Sequence, residues 1–230
     1  MFFERIKMSV VLAEEVVFSC PEIEPSFELM AKNLASQGYS LHLNGLNPNL
    51  LDSLYEYIQT MPADKFKRAG IGREDNLILN ESVRTDQVCW INGESEAGQD
   101  WLNWTASLQR YLNRNLFLGL FSFESHFAHY STGDFYKTHK DAFKGEANRI
   151  LSIVVYLNPD WKHTDGGELV LYQDQTQVEI LRVVPNFGTV VAFLSEDFPH
   201  EVLPATRDRY SIAGWFRVNS SAGDKVDPPR

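Results

Sequence analysis

Histidine and aspartate side chains of this chain could hold a metal ion, and their spacing decides which copies could do so. In the stretch YKTHKDAF, residues 136 to 143, His139 and Asp141 lie two positions apart among aromatic and polar residues. Side chains on a β-strand alternate between faces with period two, so this pair would project from one face and could meet one ion. Two ligands do not make a site, and a third must come from another part of the chain. The remaining histidines are His42, His126, His129, His163 and His200. His42 sits in an apolar run. His126 and His129 are three apart on one strand, face opposite sides, and can supply one ligand at most. His163 and Asp165 repeat the H-x-D spacing in KHTDGGELVLY, but Gly166 and Gly167 put them in a turn, where the two have no fixed common face. His200 opens a late strand directly after Pro199.

A second pattern lies nine residues on. The stretch RDRYSIAGWF begins the last strand with Arg209 and continues mostly apolar. A buried arginine needs an anionic partner, because an unpaired buried charge is costly. No acid of the chain obviously faces it, and a bidentate clamp on the far carboxylate of a bound dicarboxylic cosubstrate fits the spacing. For Arg207 a rim salt bridge to Asp208 or Glu201 is expected instead.

The elements that must position these groups divide the chain by texture. From Glu24 to about Leu120 apolar residues recur at three and four positions, and PSFELMAKNLASQ, NPNLLDSLYEYIQTM and DWLNWTASLQRYLNRNLF predict three helices. Between the second and third, Gly70 and Gly72 break a flexible loop, followed by a short strand at Gln87 to Ile91. After about Phe121 come eight short runs rich in Val, Ile, Phe and Tyr: SHFAHYS, FYKTHKD, ILSIVVYLN, GELVLYQ, QVEILRVV, GTVVAFLS, HEVLP and RYSIAGWFRV. Turn residues separate them, as in a closed barrel or a two-sheet jelly roll. The fold expected is mainly β with flanking α, a double-stranded β-helix buttressed by N-terminal helices. In an eight-stranded jelly roll the second and seventh strands are neighbours, which would bring His200 beside His139 and Asp141 inside the barrel mouth. Two imidazoles and one carboxylate on one face of an octahedron leave three positions open, the arrangement of non-heme Fe(II) oxygenases.

Composition narrows the class further. A chain of 230 residues, 43% hydrophobic and 13% aromatic, is long enough to bury roughly 70% of its unfolded surface. Its net charge of −10 argues against nucleic acid, whose phosphates draw clustered Lys and Arg. The apolar run at Ser9 to Ala13 is interrupted by Glu14 and Glu15, so no secretion signal is read, and no run of about eighteen apolar residues predicts a membrane span. Cys20 and Cys89 stand far apart in no C-x-x-C pair, as expected of a reducing, cytoplasmic setting that would keep iron ferrous. Domain boundaries are expected as an extension over 1–20, one domain over 21–220 with its β-helix core at about 121–218, and a disordered tail over 221–230.

Taken together, VRTDQVCWINGE, HYSTGDFYKTHKD, RILSIVVYLNPDW, GGELVLY and PHEVLPATRDRYSIAGWF resemble, over about residues 68 to 218, the Fe(II) and 2-oxoglutarate-dependent dioxygenases. The branch resembled holds the hypoxia-inducible-factor prolyl hydroxylases and their bacterial relatives. The resemblance implies that His139, Asp141 and His200 bind Fe(2+), and that Arg209 anchors the far carboxylate of 2-oxoglutarate. It also implies that Tyr156 donates to that carboxylate and that Tyr130 lines the same pocket. The implied reaction uses O2 and 2-oxoglutarate, releases succinate and carbon dioxide, and hydroxylates a prolyl residue, with ascorbate as a supporting reductant. Relatives act on a transcription factor and, in bacteria, on elongation factor Tu, so a cytosolic protein substrate and a monomeric enzyme are expected. Residues 66 to 83 match the family's substrate-gating loop in position but hardly in sequence. Arg84 and Asp86 are expected to tie that loop down, Arg149 to face either the substrate mouth or a rim salt bridge, and Trp161 and Trp215 to serve as packing. Two other functions stand beside this one: an oxygenase acting on a small molecule or another side chain, and a noncatalytic metal-binding barrel.

Overall fold

The computed structural model describes residues 25–70, 82–142 and 148–219. The expected extension over 1–20, the expected tail over 221–230 and most of the expected gating loop lie outside the described residues.

The three helical runs form α1 (Pro25–Gln37), α2 (Pro48–Thr60) and α3 (Glu96–Leu116). Local chemistry starts and stops them. The Asn47 side chain accepts from the Asn49 amide at 2.9 Å, and Pro48 takes the first helical position, where a missing N–H leaves nothing unpaired. Ser95 caps α3 by accepting from the Gly98 amide at 3.1 Å, and Phe117, left-handed at φ 55°, ends it. Along α3 the buried side chains Trp101, Trp104, Leu108 and Leu112 fall at helical spacing, which gives one apolar face.

Eleven strands follow in chain order: β1 (Tyr39–His42), β2 (Lys67–Arg68), β3 (Gln87–Trp90), β4 (Ser122–Tyr130), β5 (Tyr136–His139) and β6 (Arg149–Tyr156), then β7 (Leu169–Tyr172), β8 (Glu179–Val183), β9 (Val190–Leu194), β10 (His200–Val202) and β11 (Arg209–Arg217). The eight expected late strands are β4 to β11, and β3 is the expected short strand before α3. Strand β1 departs from the largely helical expectation for this region, which placed no strand before α2. Its four residues pair antiparallel with β9, from Tyr39 opposite Phe193 to His42 opposite Val190.

The strands form two antiparallel sheets, a larger one in the order β1-β9-β6-β11-β4-β3-β2 and a smaller one in the order β5-β10-β7-β8. This is the expected mainly β, double-stranded β-helix with helices against one sheet. Alternation sorts the larger sheet into two faces. Leu151, Ile153 and Val155 of β6 pack with Ile212 and Phe216 of β11 against the helices, around Met30, Leu54 and Trp101. Ala128, Tyr130, Tyr156, Val191 and Phe193 point the other way and meet Leu169, Leu171, Val183 and Val202 of the smaller sheet. No helix among the described residues is long and apolar enough to cross a membrane.

Candidate metal centre and anion pocket

Strand β10 lies between β5 and β7, and its register sets His200 directly opposite His139. Asp141 follows β5 by two residues. Candidate ligand atoms of His139, Asp141 and His200 all lie within 4.8 Å of one another, and these residues form the one such group among the described residues. His139 Nε2 is 3.6 Å from Asp141 Oδ1, and His200 Nε2 is 3.6 Å from Asp141 Oδ2. Both rings are held by their other nitrogen. His139 Nδ1 lies 2.8 Å from the Lys137 carbonyl oxygen, and His200 Nδ1 lies 3.0 Å from that of Phe198. A carbonyl only accepts, so each Nδ1 carries its proton and each ring turns its Nε2 toward the cluster. Tyr136 stacks on His139 with ring centroids 3.5 Å apart, and Phe193 meets His200 edge-on at 4.7 Å.

Electrostatics suit a cation. Burial, reinforced by the neighbouring His139, pushes His200 down to about 4, so it is a neutral donor at neutral pH. Burial works to raise the Asp141 carboxyl, but His200, His139 and Arg149 outweigh it and hold it well below the usual carboxylate range. The cluster therefore offers two imidazole nitrogens and one anionic oxygen, the donor set of a non-heme iron site.

The same three residues open into a cavity of about 790 Å³ between the sheets, and Arg209 and Tyr130 line it too. Arg209 is 1% exposed. Its Nε donates to the Gly167 carbonyl at 2.9 Å, one Nη donates to Ser211 Oγ at 3.3 Å, and its guanidinium lies 4.9 and 5.0 Å from the Tyr130 and Tyr156 ring centres. No carboxylate among the described residues pairs with it. The Tyr156 hydroxyl, equally buried, has no partner in good hydrogen-bond geometry among the described residues. Burial pushes it up to about 12 and the Tyr130 hydroxyl well above its ordinary value, so both stay protonated. A buried cation lining the cavity, with the buried Tyr156 hydroxyl beside it, is suited to a carboxylate ligand. Gly167 makes room for this arrangement, because at φ 73° a Cβ there would come within 3.2 Å of Arg209 Cδ.

The other H-x-D pair stays apart. His163 and Asp165 occupy a single 3-10 turn, where the His163 side chain is 83% exposed and the Asp165 carboxylate accepts from the Lys162 amide at 2.9 Å. Asp165 is also 3.6 Å from Arg207, which corrects the expected pairing of Arg207 with Asp208 or Glu201. His126 and His129 do face opposite ways: His126 lines the cavity, and His129 stacks on Tyr210 at 4.6 Å. Arg84 and Asp86 form the expected pair, at 2.8 and 2.6 Å. Arg149 makes a rim salt bridge to Glu124 Oε1 at 3.0 and 2.6 Å, while lying 3.8 Å over the Trp215 ring.

One part of the wall went unread in the sequence. Trp90, His126 and Trp215 form an aromatic row, with ring centroids 5.1 and 5.4 Å apart, and all three line the cavity. Trp215 is buried, as expected of packing, but it packs into the site wall. Part of this was available from spacing, since Arg209, Ser211, Ala213 and Trp215 alternate onto one face of β11. Cross-strand register supplies the rest: Ala213 faces His126, and His126 faces Trp90.

Residues 125–217 match the model of the 2OG-Fe(II) oxygenase superfamily. The chain is similar to the crystal structure of a Pseudomonas putida prolyl-4-hydroxylase, at 37% identity and a TM-score of 0.76 over 84% of this chain and 100% of that one. It is also similar to a Trichoplax adhaerens prolyl hydroxylase solved with a hypoxia inducible factor oxygen degradation domain peptide fragment. There the identity is 25% and the TM-score 0.69, over 83% of this chain and 88% of that one. Egl nine homolog 1 of Mus musculus is 28% identical over 145 residues, which are 60% of this chain and 36% of that protein. The chain thus spans about a third of the length of the first curated relatives it matches.

Proposed function

The chain belongs to the 2OG-Fe(II) oxygenase superfamily, and from that premise we propose that it hydroxylates a prolyl residue of a cytosolic protein, with elongation factor Tu as one candidate. The balanced reaction takes 2-oxoglutarate, dioxygen and a prolyl C–H bond to succinate, carbon dioxide and a hydroxyprolyl residue. The observation that carries this reading is the buried, carboxylate-free guanidinium of Arg209 in the cavity that also holds the His139, Asp141 and His200 cluster. A structural metal site closes its coordination sphere and has no use for a dicarboxylate pocket.

In this reading His139, Asp141 and His200 hold Fe(2+), which supplies the activation of dioxygen when bound. Arg209 takes the far carboxylate of 2-oxoglutarate through paired N–H donors, and the Tyr156 hydroxyl donates a hydrogen bond to the same group. The Tyr130 ring walls the pocket beside the guanidinium, and the sheets on either side keep water from the reacting atoms. Lys65, Lys67 and Arg68 are exposed at the cavity mouth of a chain whose net charge is −10. That contrast favours a peptide with acidic residues near the target proline.

The test is turnover on a proline-containing peptide library with Fe(II) and 2-oxoglutarate, read by mass spectrometry. Gain of one oxygen atom on a prolyl residue, with one succinate formed per product, is expected. Succinate formation coupled to oxygen gain on a small molecule, with every prolyl peptide left unchanged, would overturn the prolyl assignment.

A further inference from the structure

We propose that Ser195 and Ser152 form a directed hydroxyl relay that keeps Asp141 a ligand through one oxygen only. This rests on the reading of His139, Asp141 and His200 as metal ligands. Ser152 lies on β6, on the face turned toward the cavity, and Ser195 directly follows β9. They are 1% and 0% exposed. Ser152 Oγ lies 2.7 Å from Asp141 Oδ2 and 2.8 Å from Ser195 Oγ.

Proton counting fixes the direction. The Asp141 carboxylate is ionised and only accepts, so Ser152 must donate its single proton to Oδ2. Ser152 then has none left, and Ser195 must donate to Ser152. Each bond reinforces the next between buried groups, and the last one is charge-assisted.

The consequence concerns coordination number. A donor on Oδ2 occupies a lone pair and fixes the carboxylate rotation, which leaves Oδ1 as the oxygen to meet the ion. Were Asp141 to chelate through both oxygens, three side chains would fill four of six octahedral positions and leave two. A cosubstrate binding through two oxygens, together with dioxygen, needs three. Ser152 and Ser195 are therefore positioning residues that hold the third position open.

The experiment measures binding, not turnover. Mn(II) affinity, and the 2-oxoglutarate affinity of the Mn(II)-loaded protein, are determined by anaerobic calorimetry for wild type, Ser152→Ala, Ser152→Thr and Ser195→Ala. Ser152→Ala should keep Mn(II) affinity within about threefold while weakening 2-oxoglutarate about tenfold, the lower range for loss of a partner behind a ligand. Ser195→Ala should shift 2-oxoglutarate the same way by a smaller factor, and Ser152→Thr, which keeps the hydroxyl, should restore it. Unchanged 2-oxoglutarate affinity in Ser152→Ala would overturn the relay, as would equal losses for Mn(II) and 2-oxoglutarate. If Ser152→Ala does not fold, an unchanged 2-oxoglutarate affinity in Ser195→Ala overturns it. A wild-type protein that binds no 2-oxoglutarate with Mn(II) present overturns the oxygenase reading itself, which separates the two failures.

Discussion

The guanidinium of Arg209 is withdrawn from water to 1% exposure, and a charge so placed is costly unless an anion meets it. Its neighbours satisfy part of its donor set without neutralising it. Arg209→Ala should therefore leave the metal bound and weaken 2-oxoglutarate by about 2 to 5 kcal/mol, measured calorimetrically with Mn(II) under anaerobic conditions. Unchanged 2-oxoglutarate affinity would remove the anchor assignment. The Tyr156 hydroxyl makes a subtler case because no described residue lies in good hydrogen-bond geometry to it. Tyr156→Phe should weaken 2-oxoglutarate by about 1.5 to 3 kcal/mol, the range for a hydrogen bond to a charged group, yet leave the ligand-free protein at least as stable in urea. At the metal, Asp141→Ala removes the only anionic donor and should abolish iron-dependent 2-oxoglutarate turnover, whereas His163→Ala should retain it. The reverse result would mean that the exposed H-x-D pair is the metal site.

At the scale of elements, the site depends on which strands become neighbours. His139 and His200 are 61 positions apart and meet because β10 pairs with β5. This was legible in the sequence because eight β-rich runs at jelly-roll spacing fix the partner of the second strand as the seventh. Arg209 was legible for a local reason, as a cation opening an apolar strand. What stayed hidden depends on register or on very short segments. Strand β1 has four residues, too few to show a period, and it gains its strand character only by pairing with β9. The row of Trp90, His126 and Trp215 needs the register of β3, β4 and β11 at once. Arg207 finds Asp165 on a distant turn, a contact no local spacing announces. Helix α3 supports the larger sheet from the face away from the cavity, where Trp101 is fully buried and donates from its indole Nε1 to Ser125 Oγ at 3.0 Å. Trp101→Ala should destabilise the fold by about 3 to 5 kcal/mol in urea unfolding, while Mn(II) affinity of the folded fraction stays near wild type. A large loss of Mn(II) affinity with little loss of stability would mean that α3 acts on the site directly.

For the whole molecule, the important division is between the two sheets. His139 and His200 come from the smaller sheet and Asp141 from just beyond its strand β5, whereas Tyr130, Tyr156 and Arg209 come from the larger one. A metal ion alone would engage the first set. A 2-oxoglutarate molecule bound to that ion and to Arg209 would join both, and only the folded chain presents the two sets together. Ligands that bind the native state alone stabilise it by mass action, by about 2.7 kcal/mol at one hundred times the dissociation constant. For a domain of this size each kcal/mol raises the melting temperature by about 2 to 4 °C, so saturating 2-oxoglutarate over the Mn(II)-loaded protein should add about 5 to 10 °C. The increment should depend on order. 2-Oxoglutarate without metal should add much less, since half of its contacts are then missing, and Arg209→Ala should keep the Mn(II) increment while losing most of the 2-oxoglutarate one. Thermal melts of wild type and Arg209→Ala, with each ligand singly and together, test this. Equal 2-oxoglutarate increments with and without Mn(II) would show that the two halves of the cavity bind independently, and that no single ligand bridges the sheets.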